Sequence, residues 1–130
     1  MRNLFIGVIG TFALSGCATV DDATMARAAE LASREVVCAS EDECEIMWGR
    51  ALNWVVEHST YRIQMQTDNL IQTYGPSPNS PAPAYMISKI PLGEGRYRID
   101  FRAGCDNMFG CQPDTTLAHG GFNAVVLGLG

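Results

Sequence analysis

The stretch Arg96-Tyr-Arg-Ile-Asp-Phe-Arg102 decides the fold. Charged and apolar residues alternate along it without a break, and in an extended chain successive side chains point to opposite faces. Tyr97, Ile99 and Phe101 therefore point toward a core, while Arg96, Arg98, Asp100 and Arg102 point toward solvent. A strand divided in this way belongs to a sheet covered on one face only, which is the habit of antiparallel sheets.

Working outward, Pro91-Leu-Gly-Glu-Gly95 reads as a turn, with Ala84 to Ile90 as the preceding strand. Upstream lies Gly75-Pro-Ser-Pro-Asn-Ser-Pro-Ala-Pro83, a stiff, solvated loop whose prolines cannot join a sheet. Tyr61 to Thr67 alternates again, with Tyr61, Ile63 and Met65 inward and Arg62, Gln64 and Gln66 outward. Asp68-Asn69 interrupts it, and Leu70 to Tyr74 resumes the strand after a bulge or kink.

Two helices precede these strands. Asp21 or Asp22 can cap the first, which runs to about Val37. Met25, Ala28, Ala29, Ala32 and Val36 form its shallow apolar stripe, and Glu30 and Arg34 pair across one turn. Ser40 and Glu43 form a capping box for a second helix ending near His58. Cys44, Met47, Trp48, Ala51, Val55 and His58 share its apolar face, widened by Leu52, Trp54 and Val56. After Pro113, residues 114–127 suit a last helix with Leu117, Phe122, Val125 and Val126 inside, although Gly120-Gly121 weakens it. The expected architecture is α+β: N-terminal helices packed on one face of a three-stranded antiparallel meander, a possible C-terminal helix, and a polar, open opposite face.

The cysteines are grouped. Cys38 and Cys44 enclose five residues, as do Cys105 and Cys111, and Cys17 stands alone. Four thiols can pair in three ways. A local loop of this size contributes about 2–2.5 kcal/mol, against about 4.4 for a bridge between the two segments. The matched spacing nevertheless favours local closure. Zinc pairs usually stand two to four residues apart, and no histidine lies beside either segment.

The chain begins with Arg2, an apolar run from Leu4 to Leu14, and the small residues Ser15-Gly16 before Cys17. This order is that of a secretory signal, too short to span a bilayer. Leu14-Ser15-Gly16-Cys17 resembles the lipobox of bacterial lipoprotein precursors. In general outline the chain is similar to small proteobacterial lipoproteins. The resemblance implies a diacylglyceryl group on the Cys17 thiol, cleavage before Cys17, acylation of the new N-terminus, and an oxidising periplasm in which disulfides persist. Ala18, rather than Asp, follows the cysteine, and by resemblance to enterobacterial sorting signals this favours the outer membrane. The expected organisation is a signal peptide over 1–16, a lipidated tether over 17–23 and one periplasmic α+β domain over 24–130. The membrane is then a partner through the acyl chains.

A net charge of −5 argues against nucleic acid and against general attraction to anionic lipid. No nucleophile–base–orienter set is marked out. His58 and Ser59 are adjacent and diverge, His119 has no visible partner, and the 14 acidic residues show no distinguished pair. The reading requires no cofactor and no metal ion. It leads to a binding or scaffolding role toward another envelope component, a protein or peptidoglycan. An envelope enzyme or inhibitor is the alternative. Two surfaces are candidates: the arginine face of Arg62, Arg96, Arg98 and Arg102, suited to carboxylates or phosphates, and the Cys105–Cys111 loop. In that loop Met108-Phe109 either forms a rigid apolar tip or tucks Phe109 into the core.

Overall fold

A computed structural model describes residues 20–129 of the chain; Cys17 and the segment read as a leader lie outside them. The elements run α1 (Asp22–Ala32), β1 (Val37–Cys38), α2 (Glu41–His58), β2 (Ile63–Gln66), β3 (Leu70–Thr73), β4 (Ala84–Gly93), β5 (Arg96–Gly104) and α3 (Thr115–Leu127). The sheet is antiparallel, with five strands in the order β1-β5-β4-β3-β2. The α+β class and both local disulfides, Cys38–Cys44 and Cys105–Cys111, match expectation. The strand count does not. Asp68-Asn69 is the turn of a hairpin rather than a kink, since the Thr67 amide bonds the Leu70 carbonyl and β2 folds back on β3. Val37, the expected end of α1, instead joins Cys38 in an edge strand on β5.

The alternation of β5 holds. Ile99 and Phe101 are buried, and opposite them on β4 and β3 lie Lys89, Ile87 and Ile71, so one sheet face carries the core. Trp54 of α2 is its hub, meeting Tyr85, Phe101 and Phe122 edge-on with ring centroids 5.2–5.5 Å apart. The opposite face is not wholly polar. Register places half-buried Leu70, Met86 and Ile90 on it, beside Arg98, Asp100 and Arg102.

Expectation also fails at particular residues. Met65 is 47% exposed, because a register shift between Ile63 and Met65 turns it away from the core. In α1, Leu31 is buried and Ala29 exposed; in α2, Val56 and His58 are exposed; in α3, Val125 is exposed. α1 stops at Ala32 and begins at Asp22, capped by Asp21 Oδ1 on the Thr24 amide at 2.7 Å, so it already occupies part of the expected tether.

The glycines that weakened the reading of α3 are what let it pack. A Cβ on Gly120 would stand 2.5 Å from the Ala28 carbonyl oxygen, so α1 and α3 touch backbone to backbone. Three residues on, buried Asn123 donates Nδ2 toward the carbonyls of Leu31 (2.9 Å), Ala32 (3.4 Å) and Arg34 (3.2 Å). Its two N–H are shared among these three carbonyls, and they tie α3 to the last turn of α1 and the segment after it, where the Leu31 carbonyl also accepts the Arg34 amide at 3.2 Å. The alanine-rich stripe is shallow because the helices approach closely.

Candidate functional site: a disulfide-closed apolar tip

Where β5 ends, Cys105 opens the loop that Cys111 closes. Asn107 organises it. Its Oδ1 accepts the Phe109 amide at 2.8 Å in an Asx turn, and its carbonyl accepts the Gly110 amide at 3.2 Å. Gly110, at φ 95°, makes the tight return. The proline-rich connection supports the loop from beside it. Pro78 forms a β-bridge with Asp106, Asn107 Nδ2 donates to the Asn79 carbonyl at 3.0 Å, and the Gln112 amide donates to the Pro81 carbonyl at 2.9 Å.

That connection is itself clamped. The Tyr61 ring lies against Gly75, where any Cβ would come within 2.7 Å of it, and Gly75 has φ 88°. The Tyr61 hydroxyl accepts the Ser77 amide at 2.9 Å and donates to the Ala82 carbonyl at 3.4 Å. Hydrogen bonding from Ser77 lowers the Tyr61 pKa. Tyr61, expected in the core, serves as the bracket of this loop.

At the end of this scaffold Met108 is 89% and Phe109 91% exposed. Phe109 does not tuck into the core. Two adjacent apolar side chains on a cross-linked, hydrogen-bonded loop lose little backbone freedom on docking. Burial of each is worth about 1.5–3 kcal/mol. Sequence reading found the tip but missed Asn107, Pro78 and Tyr61. An asparagine two residues before the phenylalanine was the available sign of an Asx turn.

The arginine face is dispersed. Arg98 Nε and Nη2 donate to both carboxylate oxygens of Asp100, at 2.7 and 3.2 Å. The partner is on the same strand rather than across the sheet, and the pairing raises the Arg98 pKa. Arg62 immediately precedes β2, with β3 and β4 between it and β5, so about 14 Å separates it from the other arginines at the usual strand spacing. Arg96 and Arg102 are exposed at opposite ends of β5, and neither has a carboxylate partner among the described residues.

Cys38, Cys44, Cys105 and Cys111 are all consumed in disulfides and offer no thiolate to a metal. His58 lies against Trp54, with ring centroids 4.4 Å apart, and donates Nδ1–H to the Trp54 carbonyl at 2.8 Å, which closes the last turn of α2. His119 stacks on Phe101 at 4.8 Å. Burial lowers its pKa against the opposing pull of Asp100. It lines a recess of about 260 Å³ with Glu35, Asp100, Arg34 and Arg102, but Asp100 is held by Arg98. Lys89 lies between the rings of Trp48 and Tyr97, 5.2 and 5.3 Å from their centroids, and covers the far end of the sheet.

The chain matches no protein-family model, no curated protein and no solved structure. Among the described residues, no helix is long and apolar enough to cross a membrane.

Proposed function

We propose that this chain is a lipid-anchored protein of the bacterial outer membrane, held through acyl groups on Cys17, whose periplasmic domain binds another envelope protein by inserting Met108 and Phe109. The exposure of both side chains on a rigid loop carries this reading. An apolar tip suits an apolar cleft on a protein better than the sugars of peptidoglycan. The leader-like segment and Leu14-Ser15-Gly16-Cys17 support the anchor.

A photo-crosslinking residue at Phe109, irradiated in intact cells, tests the tip. One discrete protein adduct, lost when Met108 is also changed to Asp, is the expected result. A pattern no different from that of a crosslinker at exposed Arg27 would overturn it. Intact mass tests the anchor separately: acyl groups on Cys17, and release from membranes in Cys17→Ser, are expected. An inhibitor would use the same tip, and an adduct with an enzyme that blocks its activity would identify that case.

A further inference from the structure

The sheet leaves half of one edge open. β1 is two residues long and covers only Tyr97 and Arg98 of β5, with the Ile99 amide bonding the Val36 carbonyl just beyond. Backbone groups alternate sides along a strand, so the N–H and C=O of Phe101 and of Ala103 point outward as those of Ile99 do. Neither residue's backbone finds an outward partner among the described residues. Two recesses, of about 260 and 360 Å³, adjoin this stretch, and both are lined by Ala32, Phe101, Arg102 and His119. The other sheet edge, β2, is bent by its register shift, as guarded edges commonly are.

We infer that the free edge of β5 over Phe101–Ala103 accepts an extended strand of a partner protein, carrying an acidic residue opposite Arg102 and uncharged residues on either side of it. The strand would run antiparallel to β5, continuing the line of β1. Phe101 and Ala103 supply the main-chain bonds, so Arg102 occupies the non-hydrogen-bonded position between them. There facing side chains come closest, with Cα atoms about 4.5 Å apart. Arg102 has no carboxylate partner among the described residues, whereas Arg98 and Arg34 are engaged by Asp100 and Glu30. A carboxylate opposite Arg102 completes the row. A second copy of this chain pairing about the same position would set Arg102 against Arg102, and like charges directly opposite are destabilising. The flanking residues of the incoming strand face the recess bordered by Thr115 and His119, and so carry no charge. This surface is separate from the tip and does not depend on it.

The test uses the ¹⁵N-labelled full chain and two capped peptides. Each alternates valine and threonine about one central residue, glutamate in one and lysine in the other. With the glutamate peptide at about 1 mM, exchange of the Phe101 and Ala103 amides should slow at least tenfold, and the lysine peptide should bind at least tenfold more weakly. Arg102→Glu should reverse the preference. Ala103→Pro should abolish binding while leaving the β4–β5 ladder intact, because the Ala103 N–H faces away from β4. Unperturbed Phe101 and Ala103 amides, a preference that survives Arg102→Glu, or dimerisation of the chain through β5 would each overturn the inference.

Discussion

The two disulfide loops have the same length and opposite uses. Each joins cysteines six positions apart. Cys38 and Cys44 are buried, and their bridge ties β1 to the first turn of α2 inside the core. Cys105 and Cys111 are partly exposed, and theirs holds Met108 and Phe109 in solvent. Chain entropy alone would value the two bridges equally, because it depends on loop length. What distinguishes them is their surroundings. One bridge fills core volume at the packed end of the molecule, and the other restrains a surface that nothing in the fold covers.

The largest effect should come from removing the buried bridge. Cys38→Ala with Cys44→Ala should cost about 3–5 kcal/mol, of which about 2–2.5 is loop entropy and the rest lost packing. The urea midpoint would measure it, and a loss equal to that of the other bridge would erase the contrast. Gly120→Ala probes the same packed half with one methyl group. It should destabilise by about 2–3 kcal/mol, since the added Cβ meets backbone at 2.5 Å. Its neighbour Gly121, with nothing nearer than Trp54 Nε1 at 4.0 Å, should gain about 0.5–1 kcal/mol on the same change. Cys105→Ser with Cys111→Ser should cost about 2 kcal/mol and should also abolish crosslinking at the tip. Met108→Ala with Phe109→Ala should leave thermal stability within about 0.5 kcal/mol while removing the partner adduct.

The smallest effect concerns pH. Burial lowers the His119 pKa below its ordinary 6.5, so the unfolded chain takes up a proton that the folded chain resists. Stability should be complete above about pH 7 and decline as pH falls through 6.5 toward the lower folded value. The slope in that window, read from melting temperatures, should flatten in His119→Gln. The hydrogen bonds that lower Asp21 and Glu30 act in a separate, more acidic window.

How much was legible depended on how local each signal was. The alternation of Arg96 to Arg102, the Ser40 cap and a cap at Asp21 or Asp22 are set by neighbours within one turn or one pleat, and all three were read from sequence, with Asp21 the cap that forms. Asp68-Asn69 was misread because a kink and a two-residue hairpin look alike until β3 is seen paired with β2. Val37 was taken as the end of a helix because only contact with Tyr97 and Arg98 makes Val37 and Cys38 a strand. At the candidate site, the matched spacing of the cysteines marked the loop. The exposure of Phe109, the bracket of Tyr61 and the support from Pro78 were decided by distant partners.

The sequence by itself determined the α+β class, the alternating faces of β5 and the boundaries of α2, because each follows from side-chain periodicity or short-range chemistry, and it favoured the local pairing of the cysteines that the structure shows. Only the tertiary structure decided that Gly120 is a contact surface rather than a flaw, that Arg98 is spent on Asp100, and that the edge of β5 beyond Ile99 is left open. Each of those outcomes depends on which backbone approaches which, a quantity fixed by packing among elements far apart in the chain.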